Sequence, residues 1–486
     1  MMRLEQEIFD DLATLSISKG YIHAIANVCF RDYVVSFGDE LKPENILRLY
    51  SRLRLIRTEV TTLIGLMMRA PIDFSLPLPQ TISDYIERSE TLLEELHHTL
   101  AAPFAHYLTS ENASNPDFNP ARIGEALREP IFYGGESAYA FQYRDLAPLK
   151  YGADANWLRQ HKGLDLEVGR EVCRHVAALL NDRLIETLRG LRSRLVAEWT
   201  MLPAFAFSCD ELAARSGQPV KSVRAVVEAF AAPESERNTT FASLHDFNSA
   251  YAYPLIRRGP DEFLLLQPYG IAEALYETPF YWMGADSGYV QTALRHRGEF
   301  TETFAAERLK RVFGAQQVFE NVEMFRLKGQ PVGEIDVLVL FGDRAIVLQA
   351  KSKKLTLPAR KGNDLQLQAD FKAAVQDGVD QAMACAGLLA LCAADGRLHD
   401  ASIGISTAST GLTVHCSGLP NREVEARLRG HCERRKYLQR ANSWFGLALG
   451  LDGSVRLVAE LVGPWQFDAV RALGRQHWEM RRRCAR

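Results

Sequence analysis

The chain has 486 residues, room for about two to four domains, and its 57 Lys+Arg against 60 Asp+Glu leave a formal net charge of -3. With 47% apolar and 24% charged residues the composition is that of a globular protein and excludes a disordered one. Near-neutrality excludes a protein that coats nucleic acid by bulk positive charge, but leaves room for a local basic groove.

The opening Met1-Met2-Arg3-Leu4-Glu5-Gln6-Glu7 is acidic and lacks the apolar run of a secretory signal. The longest apolar stretch, Ala382 to Ala394, is too short to span a bilayer and reads as a buried helix. Eight cysteines without a CxxC pair fit reduced core residues better than a disulfide framework or a zinc site. A cytoplasmic protein without membrane contact is expected.

Residues 1–200 read as mainly helical. Ile46, Leu49, Leu53, Ile56, Val60, Leu63 and Met67 form one apolar stripe ending before Pro71. The proline-broken run Pro71 to Pro79 is a connector. Thr81 to Asp84 is expected to cap a helix running towards Thr99, and Ser110 to Pro120 is a polar loop. Helical spacing returns over Leu164 to Ala197, with Val168, Val172, Val176, Leu179 and Leu180 on one stripe. This region is expected to serve recognition or regulation, through a homodimer or a partner protein.

Over residues 201–290 a winged-helix-like module and linker are expected. Ser208 to Gly217 is a capped helix ended by a glycine turn, and Pro219 opens a second helix with Val223, Val226, Val227 and Phe230 inward. That helix offers only Lys221 and Arg224 as cations beside Glu228, so a packed helical hairpin competes with a groove-reading helix-turn-helix. Tyr253 to Ile256 and Glu262 to Gln267 are strand-like and supply a wing or a linker sheet.

From Gly298 a helix is expected to reach Phe313, with Gly314 as its cap and Ala305, Leu309, Val312 and Phe313 inward. Extending that stripe back puts Glu302 on the packed face, with Glu299 near its edge, and a buried acid needs a partner or a metal. Three strands follow: 317–323, a turn at 329–333, 334–341, a Gly342-Asp343 hairpin turn, and 345–351. Period two projects Gln349 and Lys351 from one face, and hairpin pairing brings Asp336 beside them. Glu334, at the turn, reads as a rim charge. After them Lys351 to Lys361 carries five cations and no acid, which suits phosphate contact as well as it suits a solvated loop.

The order Glu302, Asp336, Gln349-Ala350-Lys351, followed by a helix carrying Gln376 and Gln381, resembles the PD-(D/E)xK nuclease superfamily. The nearest branch is the Mrr-like and nuclease-related (NERD-like) one, in which Q-x-K replaces E-x-K. The resemblance covers residues 291 to 400. It implies an α/β restriction-endonuclease-like domain, a central mixed sheet flanked by helices, over 291–420, with 421–486 completing or capping it; strand-like runs at 401–407, 412–416, 445–450 and 455–462 read as sheet continuation and cap. It also implies a magnesium-dependent endonuclease, manganese being an alternative ion, that hydrolyses phosphodiester bonds, of DNA before RNA. Asp336 would be the main ligand, helped by the Gln349 side-chain oxygen and the Ala350 carbonyl. Glu302 would hold a metal-bound water or a second ion, Lys351 would orient the attacking water, and Gln381 would support the site. Lys353, Lys354, Arg360 and Lys361 would meet the phosphate backbone. Such architectures resemble bacterial restriction or defence effectors. The alternative is a chain that keeps the fold and binds nucleic acid, or acts as a scaffold, without turnover.

Overall fold

A computed structural model describes residues 3–34, 54–107, 123–133, 138–233, 237–327, 330–341, 344–353, 355–394, 413–415, 446–449 and 455–458. The chain forms two compact units, one of Met1–Ala113, Ile123–Ala293 and Arg360–Gly362, the other of Ser114–Arg122, Leu294–Ala359 and Asn363–Arg486. The protein is mixed α/β.

The first unit contains helices α1 (Glu5–Ser16), α2 (Tyr21–Tyr33), α3 (Arg57–Met67), α4 (Pro79–Tyr107), α5 (Gly124–Tyr133), α6 (Ala140–Lys150), α7 (Ala155–Lys162) and α8 (Leu166–Leu191). A stripe on α3 meets the buried faces of α1, α2 and α4: Leu63, Leu12, Ile22 and Leu96 are each fully enclosed, at about 1.5–3 kcal/mol of apolar burial apiece. The single helix expected from Ile46 to Met67 is not formed. Ile46, Leu49 and Leu53 lie outside the described residues, and Ile56 is extended, with its N–H donated to Glu59 at 2.8 Å. Asp32 takes the Leu55 N–H at 3.0 Å, so side-chain capping stops the helix where periodicity alone would continue it. Helix α4 is longer than expected at both ends, because Pro79 is tolerated in a first turn. Helix α8 starts at Leu166 with the Asp165 carboxylate as its cap, and stops at Leu191, short of Ala197.

The same unit continues through β1 (Ala206–Ser208), α9 (Cys209–Ser216), α10 (Val220–Ala229), β2 (Ile256–Arg257), β3 (Glu262–Leu264) and α11 (Pro268–Gly284). The sheet order is β1-β3-β2, antiparallel throughout. Ser208 and Glu211 make a reciprocal capping box, and Gly217 turns the chain at φ 67°, a conformation that glycine adopts without a Cβ penalty. Val223, Val226, Val227 and Phe230 face inward. The outer side of α10 is not a free basic face. Arg224 pairs with Asp261 at 2.7 Å, Glu228 pairs with Arg257, and the turn at Gly163 packs on Ala225. Phe207, Val223 and Ile271 share one core with Tyr143, Val172 and Val176, so the boundary expected at residue 200 falls inside a continuous unit.

Helix α12 (Val290–Phe313) leads into the second unit, followed by β4 (Val318–Leu327), β5 (Gln330–Phe341), β6 (Arg344–Leu348), a short turn at Leu357–Arg360, α13 (Asp364–Phe371), a π-helical turn at Lys372–Gln376, α14 (Asp377–Ala394) and β7 (Thr413–His415). The sheet order is β6-β5-β4-β7, with β4 parallel to β7 and the other pairs antiparallel. Ala305 and Ala306 of α12 pack on Val318, Val337, Val339 and Leu348, while Ala382, Cys385 and Leu389 of α14 pack on Val322, Ile335, Leu338 and Val347. One helix thus covers each face of the sheet. Val312, expected inward, is 74% exposed and Ala306 takes its place, as the three-to-four-residue spacing from Glu302 through Leu309 to Phe313 allows. The turn expected at 329–333 is strand from Gln330 onward, accommodated by register shifts after Met324 and Phe325. The hairpin Gly446–Leu449 with Val455–Val458 pairs antiparallel. The loop expected at Ser110–Pro120, the Gly342-Asp343 turn, the strand at 401–407, and the basic clusters at 434–436 and 481–483 lie outside the described residues. Among the described residues no helix is long and apolar enough to cross a membrane.

Candidate functional site

The expected acidic hairpin forms in the second unit. Val337 pairs with Leu348 across β5 and β6, so the next positions outward are Asp336 and Gln349. Strand β6 ends at Leu348 rather than at Lys351. The cause is visible in the hydrogen bonds: the Ala350 N–H leaves the ladder and donates to the Asp336 carboxylate Oδ2 at 2.7 Å. Asp336 is 8% exposed and Gln349 3%.

The neighbouring ladder is irregular at the same place. Glu320 pairs with Val337 and Val322 with Ile335, stepping over Asn321 and Asp336. Asn321 has φ 51°, among the described residues the single non-glycine in the left-handed region. Alternation along β5 slips with it: Val337 and Val339 face α12, whereas Ile335 and Leu338 face α14. Asp336 therefore stands where the strand exchanges its two faces. Asparagine is one of the few residues that tolerates such a backbone, and irregular backbone of this kind clusters at functional sites.

Three donors converge on the main-chain carbonyl of Glu334. Gln349 Nε2 donates at 2.6 Å, Gln381 Nε2 at 3.2 Å and Cys385 Sγ at 3.4 Å. Gln381 Oε1 then accepts from Lys351 Nζ at 3.0 Å. Gln349 Oε1 is buried and has no hydrogen-bond partner. Gln376, at the end of the π-helical turn, donates to Asp380 of α14 at 2.7 Å. Arg297, one helical turn before Thr301, donates to the Ser352 carbonyl and ties α12 to the strand's exit.

The Glu302 carboxyl senses the charge of Asp336. Burial, followed by the charges of Asp336 and Glu334, pushes the Glu302 carboxyl up, with Lys351 opposing. Burial also pushes Asp336 up, and the Ala350 N–H and Lys351 only partly offset it. Charged carboxylates held in this way attract a cation or a proton. Glu299 is instead exposed and paired with Arg295 at 2.9 Å.

The donor set suits a hard divalent ion. Among the described residues no group of three or more His, Cys, Asp or Glu converges, so an ion here would have two carboxylates at most, with amide and main-chain oxygens and water. Magnesium accepts such a sparse oxygen set because it retains several waters. The buried, unpartnered Gln349 Oε1 beside Asp336 is the atom that such an ion would satisfy.

The basic run after the site is less free than its sequence suggests. Lys353 pairs with Asp370 at 3.1 Å, and Lys361 pairs with Asp246 at 2.6 Å. Arg360 and Lys361 belong to the first unit, and Lys354 lies outside the described residues. The acids that match these cations come from distant positions, which a count over eleven consecutive residues does not see. Sequence reasoning also missed the Glu334 carbonyl, Cys385 and Asn321. The last had a readable signal, an asparagine in the middle of a strand. No family model, curated protein or solved structure matches the chain.

Proposed function

We propose that the second unit is a metal-dependent nuclease of the PD-(D/E)xK type, hydrolysing phosphodiester bonds of nucleic acid, DNA before RNA. The observation that carries this reading is the Gln349 side-chain oxygen, buried without a partner beside a desolvated Asp336. The element order supports it: a helix bearing the first acid, three antiparallel strands bearing the motif, a helix bearing Gln381, and a strand parallel to β4. A central mixed sheet covered on both faces supports the restriction-endonuclease-like reading of this unit.

When bound, magnesium would polarise the phosphoryl oxygen and acidify a bound water. Asp336, Gln349 Oε1 and the Ala350 carbonyl would hold it, with Glu302 on a coordinated water. Lys351, steadied by Gln381, would offset the charge that grows on the phosphate during displacement. Burial keeps the Asp336 carboxylate in a low-dielectric setting where each interaction is strengthened, while Glu302 is half-buried.

The test is cleavage of plasmid, single-stranded DNA and RNA by the purified chain with magnesium or manganese. Wild-type protein is expected to cut at least one substrate, and Asp336→Ala and Lys351→Ala to lose roughly a hundredfold or more of that rate. Cleavage that Asp336→Ala leaves unchanged would remove the basis for this site.

A further inference from the structure

The three donors on the Glu334 carbonyl do more than satisfy one acceptor. A side-chain amide has a nitrogen end and an oxygen end, so committing the nitrogen decides where the oxygen points. Gln349 Nε2 is committed at 2.6 Å, and its Oε1 is left buried without a partner. Gln381 Nε2 is committed at 3.2 Å, and its Oε1 receives Lys351 at 3.0 Å. One main-chain oxygen thus aims both the candidate ligand and the support of the candidate lysine.

We propose that the Glu334 carbonyl is a shared anchor for Gln349 and Gln381, and that position 349 therefore requires an amide and cannot use a carboxylate. What Gln349 Oε1 binds rests on the nuclease reading above, whereas the anchor itself does not. A glutamate at 349 has no N–H to give. Its oxygen would face the Glu334 carbonyl oxygen across a hydrogen-bond distance, acceptor against acceptor, from a buried position. The side chain would swing away, and its charge would add to those of Asp336 and Glu302. Counting charges alone gives the opposite expectation, since a further carboxylate strengthens the hold on a divalent ion. The two arguments differ in sign, so one measurement separates them. Gln381 and Cys385 are positioning residues in this scheme, because they act through the carbonyl and the lysine.

The experiment uses the full chain in two parts. Manganese is titrated calorimetrically into wild type, Gln349→Glu and Gln349→Met. Thermal unfolding without metal is measured for Gln349→Met, Gln381→Met and the double variant. Gln349→Glu is expected to bind manganese roughly 10–100-fold more weakly than wild type, the usual consequence of misdirecting a ligand. The double variant is expected to lose more in Tm than the two single losses summed. After one substitution the carbonyl keeps an amide partner, and after both it keeps only a thiol, a weak donor. Manganese binding by Gln349→Glu as tight as wild type, or tighter, overturns the proposal, and so do Tm losses that simply add. Should Gln349→Glu not fold, the thermal cycle decides alone. A wild type that takes no manganese while the Tm losses exceed their sum leaves the anchor standing and removes the metal reading.

Discussion

Each unit holds a pair of hydrogen-bonded side-chain amides, and the two pairs are finished differently. In the first unit Asn238 Nδ2 donates to the Gly65 carbonyl at 2.9 Å and to Asn248 Oδ1 at 3.1 Å, and Asn248 Nδ2 donates to the Thr61 carbonyl at 2.9 Å. The two amide oxygens take the N–H groups of Ser249 and Ala250. Every amide nitrogen and oxygen in that knot has a partner. In the second unit Gln349 and Gln381 are held as firmly through their nitrogens, yet Gln349 Oε1 has none. A fully matched polar pair stabilises its surroundings, and a pair with one acceptor open forgoes stability in favour of something it can bind. The comparison separates a structural polar cluster from a functional one without reference to residue type.

The strongest way to break it is at Gly65. Alanine in place of glycine inside a helix ordinarily gains up to about 1 kcal/mol. Here the added Cβ would run into the Asn248 amide, which its three hydrogen bonds hold in place. Overpacking and lost pairing should outweigh propensity, so Gly65→Ala is expected to cost about 2–4 kcal/mol, read as a fall in the urea midpoint. A neutral or stabilising result would mean that the knot yields easily and the contrast with the second unit is weaker than drawn.

A smaller effect, of opposite sign, is expected at Asp336. Burial raises its pKa, so folding disfavours its charged form. The sign follows: a group whose folded pKa is raised contributes most stability at low pH and loses it as pH rises through that value. Asp336→Asn keeps an acceptor for the Ala350 N–H and removes the charge. At pH 7 and without metal its Tm should equal or exceed that of wild type, and the gain should vanish as pH falls into the carboxylate range. Cleavage should be abolished by the same substitution. A clear loss of Tm at pH 7 would assign Asp336 a structural part and move this site into the same class as the Asn238–Asn248 knot.

What the sequence made legible follows from the range of the forces involved. Period-two alternation and one tight hairpin are local, and they sufficed to bring Asp336 beside Gln349, Ala350 and Lys351. The inward stripe of α12 likewise pointed at Glu302, although Val312 proved exposed and Ala306 buried. Pairings over long separations were not legible. Asp370 and Asp246 neutralise Lys353 and Lys361, and Asp32 helps to stop α3 at Arg57, but no window of neighbouring residues contains those partners. The Glu334 carbonyl was invisible for another reason: every residue has a main-chain oxygen, and only the fold chooses the one on which three side chains converge.

The finest distinction between the units concerns backbone rather than side chains. In the first unit the described positive-φ positions are all glycines: Gly20, Gly163, Gly217 and Gly362. In the second, Asn321 holds φ 51° across from Asp336, where the ladder skips a pair. Were this only a convenient turn, glycine would serve at least as well, since it reaches the left-handed region at no steric cost. Two terms oppose each other in Asn321→Gly: relief at positive φ, and a larger entropy loss on folding, each of about 0.5–1 kcal/mol. Stability should therefore change by less than about 0.5 kcal/mol. Asn321→Val, stiff at χ1 and costly at positive φ, should lose roughly 1–3 kcal/mol. The informative readout is manganese affinity beside Tm. If Asn321→Val weakens the ion far more than Asn321→Gly while both remain folded, the positive φ sets the position of Asp336. If affinity is the same in both, the irregular pairing accommodates the strands, and the open acceptor on Gln349 alone distinguishes the second unit.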